Sequence, residues 1–200
     1  MKRIPHIHLT RLAVVTLLSG CASSGSFIPS DLPVPEGVTV DVSEESFAIF
    51  GRTPQAIYQS LNQRGPANGG RIVWGLHNWR FNWATQWERT ADSCRVGDLD
   101  LSMSTTITVP RWTQRAGSAF ALQEMWDEFE MLLRKHEEDH RAFALEAIRD
   151  LHRAILSVQA PDCETAGRRI RAQTDVIMER YRALNRAYDE RETLTWPPRR

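Results

Sequence analysis

The chain has 200 residues, 42% of them hydrophobic and 25% charged, with 25 basic and 25 acidic side chains. That length suits one ordinary domain, and the composition excludes a disordered chain, a collagen-like repeat and a multi-span membrane protein. Lys2, Arg3 and Arg11 lie in a leader without acids, so the remainder carries 22 bases against 25 acids, a formal charge of −3. Such a body is not built to hold a polyphosphate by bulk field, and no nucleic-acid partner is expected.

The leader reads as an address. Met1 to Arg11 is a basic segment, and Leu12 to Leu18 is an apolar run too short to span a bilayer. Leu18-Ser19-Gly20-Cys21 resembles a bacterial lipobox. The resemblance implies cleavage before Cys21, acylation of that cysteine, and a periplasmic protein anchored to the membrane through N-terminal lipid. With Ala22 and not Asp after the cysteine, the outer membrane is favoured over the inner. Residues 1–20 are thus expected to be a signal peptide, 21–37 a lipidated tether rich in Ser, Pro and Gly, and 38–196 a single domain. With Cys21 committed to lipid, Cys94 and Cys163 are left as a pair and are expected to be bridged in that oxidising space, two free thiols being the alternative.

In chain order, Val38 to Val42 alternates like a strand, and Phe47 to Phe50 is a second short β-prone run ended by Gly51. Thr53-Pro54 starts a helix with Thr as N-cap, Ile57, Tyr58 and Leu61 form its apolar face, and Gly65-Pro66 stops it. Trp79, Phe81, Trp83 and Trp87 share one parity, and after Gly97-Asp98 so do Leu99, Leu101, Met103, Ile107 and Val109, which predicts strands with one covered face. Pro110 is expected to close this region. Ala119 onward has no internal Gly or Pro until Pro161, and a second helical stretch runs from Glu164 to about Glu192. The expected fold is α+β: a small antiparallel sheet packed on a C-terminal two-helix hairpin.

The chemistry sits on the first long helix. His136-Glu137-Glu138-Asp139-His140 matches HExxH, in which two imidazoles one turn apart share a zinc ion and the Glu between them acts as base on metal-bound water. Trp126, Phe129, Leu132, Leu133, His136, His140, Phe143, Ala144 and Ala147 follow spacings of three and four, so both histidines fall on the apolar stripe, with Glu138 and Asp139 pointing to solvent. The competing reading is a solvated face laced with i,i+4 ion pairs, since Arg134 to Arg141 is the most charged stretch of the chain. The aromatic run of the strand region reads as core before it reads as a sugar platform, and His77 reads as a surface or capping residue.

These residues, with Phe50-Gly51-Arg52-Thr53, Arg64-Gly65-Pro66, Cys94-Arg95-Val96, Val109-Pro110-Arg111-Trp112, Trp126, Cys163 and Tyr188-Asp189, resemble a bacterial domain-of-unknown-function family described as predicted secreted zinc-dependent proteases. The resemblance implies a compact zincin-like metallopeptidase with His136 and His140 as ligands and Glu137 as base. The chain departs from it at the tail: the family tends to continue after Tyr-Asp into a Thr-x-His-Gly segment, whereas this chain reads Tyr188-Asp189-Glu190-Arg191-Glu192-Thr193-Leu194-Thr195-Trp196, and no histidine follows His152.

A catalytic zinc takes three protein ligands and a water. If two straight helices fold back near Pro161, the levels of His140 and His136 on the return helix lie near residues 182 and 186. Asp189 borders the apolar stripe there, so Asp189 is the expected third ligand and Glu192 the second choice; pairing of Asp189 with Arg186 is the alternative. The expected function is an envelope-anchored zinc hydrolase acting on peptide or protein substrates. The other reading is a non-catalytic envelope lipoprotein, a binding or structural module retaining the fold.

Overall fold

The computed structural model describes residues 33–198; the expected signal peptide, the expected acylation at Cys21 and most of the expected tether lie outside the described residues. No described helix is long and apolar enough to cross a membrane. The elements run β1 (Val38–Ile49), α1 (Pro54–Arg64), a tight hairpin of β2 (Ala67–Asn68) and β3 (Arg71–Ile72), β4 (Leu76–Arg89), β5 (Cys94–Trp112), α2 (Phe120–Leu156), β6 (Gln159–Ala160) and α3 (Cys163–Arg191). Among the described residues the architecture is α+β: a small four-stranded sheet, the two-stranded β2–β3 hairpin and three α-helices.

The sheet has the order β1-β5-β4, with β6 also on β5, and it is mixed. β4 and β5 pair antiparallel as expected, but β1 pairs parallel with β5 from Val38↔Leu101 to Ile49↔Trp112, which corrects the all-antiparallel expectation. The two short runs expected at 38–42 and 47–50 are one strand of 12 residues, because β5 offers it an uninterrupted partner. β5 supplies that partner by running past Pro110, which was expected to end it. Proline fixes φ and lacks the N–H, and β5 accommodates it at Pro110 because the ladder with β4 ends at Thr108, leaving Pro110 beside Phe47 of β1 alone.

β5 also runs through Gly97. The chain reverses at Thr90–Ser93, where Thr90 N donates to Ser93 O at 2.8 Å. The register then skips Gly97, pairing Gln86 with Asp98 and Trp87 with Val96. This bulge brings Val96 onto the same face as Leu99, Leu101, Met103, Ile107 and Val109, all of them buried.

Helix α2 lays its stripe on that face. Ala144, Ile148, Leu151 and Ile155 recur at three and four and are at most 1% exposed, each large one contributing about 1.5–3 kcal/mol of burial. A second, aromatic cluster joins Ile57 and Leu61 of α1 to Trp112, Trp126 and Phe129. The tail returns to it: Trp196 is buried there and its indole donates to Pro54 O at 2.7 Å. α1 starts as expected, with Thr53 Oγ1 accepting from Ala56 N, although Tyr58 is exposed and packs edge-on to Trp74.

The Cys94–Cys163 disulfide is formed, joining the first residue of β5 to the first of α3. Beside it β6 pairs with Cys94 and Arg95, and Asp162 caps α3 by accepting from Thr165 N at 2.7 Å. These contacts fix how α3 turns back along α2.

Candidate metal centre

α2, α3, the β2–β3 hairpin, the start of β4 and the tail after α3 line an open cavity of about 990 Å³. His136, Glu137 and His140 reach it from α2, Asn185 and Asp189 from α3, and His77 from β4. The HExxH spacing places its histidines one turn apart, with ring centroids 4.7 Å apart and edge to face.

The hairpin brings Asp189 to both rings. Its Oδ1 lies 2.7 Å from His140 Nε2 and 3.2 Å from His136 Nε2, and the two nitrogens are 3.1 Å apart. A tetrahedral ion with bonds of about 2.0–2.1 Å sets its ligand atoms about 3.3 Å from one another, so three donor atoms here converge on nearly that triangle. Two imidazole nitrogens and one carboxylate oxygen form a donor set that suits zinc. Glu192 lines the same cavity but pairs with Arg191. Arg186, the alternative partner for Asp189, bonds Glu179 instead.

One ring's proton is placed from behind. Asn185 Nδ2 donates to Tyr181 O at 2.6 Å, which turns Oδ1 toward His140 Nδ1, also at 2.6 Å. Nδ1 must then carry the proton, and Nε2 of the neutral ring presents a lone pair to the Asp189 oxygen. Two lone pairs at 2.7 Å repel unless a proton or a metal ion stands between them. With no metal, burial opposes the proton on His140, but the Asp189 bond and charge outweigh it and raise the pKa. For Asp189, burial works against ionisation; the hydrogen bonds from His136 and His140 prevail and hold its carboxyl well below the usual range. His136 has no such lock, its Nδ1 being buried without a partner.

Glu137 is 4% exposed and faces the turn before β4. It fits because residue 75 is glycine: a Cβ there would collide with Glu137 Oε1 and Leu133 Cδ1. Burial raises the Glu137 pKa to about 7, against the lowering charges of His136 and His140.

Asp139 corrects the sequence reading. It does not point to solvent but accepts from the Tyr188 hydroxyl at 2.5 Å, while also pairing with Lys135. Glu138 pairs with Arg141. Part of the ion-pair reading therefore holds as well, in the Lys135–Asp139 and Arg141–Glu138 pairs that flank the imidazoles.

His77 was read as a surface or capping group, yet it lines the cavity with Nε2 2.5 Å from Thr105 Oγ1. Its signal was parity: it precedes Trp79 by two residues on the covered face of β4 and stands opposite Ile107. Burial, and then the charges of His140 and Arg141, push its pKa down to about 4. Tyr188 was marked in the sequence only by its place on the α3 stripe and by the family resemblance, and Asn185 carried no signal of its own.

No curated protein and no solved structure matches the chain. One family does, described as a bacterial protein of unknown function, DUF922; its sequence model spans residues 44–195, from β1 through the third helix into the tail that lines the cavity. The chain belongs to that family.

Proposed function

We propose that the chain is a zinc-dependent hydrolase of the bacterial envelope, a metallopeptidase with a zincin-like site. His136, His140 and Asp189 hold the metal, and Glu137 is the general base. The observation that carries the reading is the Asn185 lock on His140, which aims an unprotonated nitrogen and a carboxylate oxygen at one point beside a second imidazole. Zinc at that point supplies a Lewis acid and a bound water of lowered pKa.

Glu137 lies one residue from His136 on the cavity wall and is buried enough for its carboxylate to accept a proton near neutral pH. The cavity around it is large enough for a peptide segment, with Trp74 and Trp79 as apolar walls. The disulfide supports an oxidising compartment, and the Cys21 lipobox supports attachment to the membrane, so the substrates are peptides or proteins of the cell envelope.

The test is metal analysis of the whole protein purified without chelators. About one zinc per chain is expected, lost in His136→Ala and in His140→Ala. Glu137→Gln is expected to keep the metal while cleavage of a quenched fluorescent peptide library falls by about 10²–10⁴-fold. A metal-free parent would overturn the reading in favour of a non-catalytic envelope module. Loss of zinc from the Glu137 variant would make that residue a ligand instead of the base.

A further inference from the structure

Asp189 is the weak point of the triad. Its side chain is 55% exposed, against 13% and 9% for the two histidines, and it sits in the last turn of α3, where helix ends fray. A slide of α3 by one turn, about 5.4 Å, would take its oxygen out of reach of both imidazoles. Two tyrosines bond α3 to α2 along this face. Tyr181 and Tyr188 lie two turns apart on one face of α3, and each donates its hydroxyl to an aspartate of α2: Tyr181 to Asp150 at 2.9 Å and Tyr188 to Asp139 at 2.5 Å. Asn185, between them on the same face, holds His140.

We propose that the Tyr188–Asp139 bond is a register clamp: it fixes the last turn of α3 on the HExxH helix, so that Tyr188 and Asp139 are positioning residues for Asp189. The ring of Tyr188 serves the same end, standing 4.8 Å from the His136 ring and 5.1 Å from that of His140. Tyr188 thus fills the space behind both imidazoles while the next residue presents its carboxylate in front. Asp139, a charged residue inside the HExxH motif, has a role that zinc binding alone does not give it: it is the clamp's acceptor. Tyr181–Asp150 is the distal rung, farther from the metal-binding triad, and serves as an internal control.

The metal-affinity arm of the test rests on the proposed zinc site; the exchange arm does not. In the whole protein, Tyr188→Phe keeps the ring and removes the hydroxyl. Zinc affinity, measured by chelator competition, is expected to fall about tenfold in Tyr188→Phe and less than about twofold in Tyr181→Phe. Asp139→Asn, whose amide oxygen still accepts from Tyr188, is expected to stay within about twofold of the parent. In metal-free protein, amides of residues 187–191 are expected to exchange about tenfold faster in Tyr188→Phe, with those around residue 181 unchanged. Equal loss of zinc affinity in the two tyrosine variants would overturn the clamp, since general loosening would then explain both. Unchanged exchange at 187–191 would overturn it too. If the parent binds no zinc, the proposed function fails, and the exchange measurement alone decides the clamp.

Discussion

The two ends of the α2–α3 hairpin are held by different physics. At the closed end Ile155, Val158, Ala160, Ala166 and Ile170 are buried together, β6 ties the connection to β5, and the Cys94–Cys163 bond makes the joint covalent. At the open end the contacts are polar and directional: His140 with Asn185, Asp139 with Tyr188, and two imidazoles with Asp189. Apolar burial tolerates small shifts, whereas the proposed metal triangle would not, so on that reading the molecule places its stability at one end and its chemistry at the other. The same division predicts that stability and metal binding respond to different substitutions.

The largest effect should come from the closed end. Replacing Cys94 and Cys163 together by Ser opens a loop of 69 residues and is expected to lower unfolding free energy by about 4 kcal/mol, read from the urea midpoint against the parent. Zinc affinity of the folded variant should stay within about threefold of the parent, because the helix register at the open end has its own bonds. A parallel collapse of metal binding would show that the ends are one cooperative unit and would erase the comparison.

A change at the open end should show the reverse. Asn185→Leu fills similar space but removes the acceptor from His140 Nδ1, freeing the ring to carry its proton on Nε2, where the proposed metal would bind. Zinc affinity is expected to fall by about 10–100-fold, with the urea midpoint shifted far less than in the cysteine variant. Unaltered affinity would mean that Asn185 does not set the tautomer.

What the sequence revealed and what it hid follow the same line between local and non-local order. The i,i+4 histidines, the Thr53-Pro54 start of α1 and the alternation of β5 are written in consecutive residues, and the structure has each of them. The hairpin also made Asp189 reachable by counting turns, though the count was off: His140 meets Asn185 and Asp189, where folding about Pro161 placed it near 182. β6 lengthens the connection and α3 begins only at Cys163, which shifts the return helix by nearly a turn. The parallel pairing of β1 was invisible because its alternation fits either direction, and its partner comes only after α1 and β4 have intervened. Asp139 looked exposed because the motif's polar positions usually are, and its partner Tyr188 lies 49 residues on.

His77 gives the smallest expected effect and the sharpest probe of the cavity itself. It reaches the open end from β4, bonded to Thr105, and burial holds its folded pKa at about 4 against 6.5 for the free side chain. Between those values the unfolded chain binds the extra proton and the folded one does not, so stability falls as the pH drops through about 6.5 toward 4 and levels off below. From pH 7 to pH 5.5 this group alone should remove about 1 kcal/mol. His77→Gln keeps a hydrogen-bonding group beside Thr105 without the titration. The difference between parent and variant unfolding free energies, measured across that range, should therefore carry the pH slope of His77 alone, because the contributions of the other groups cancel. A flat difference would place His77 in contact with water and out of the buried wall behind His140.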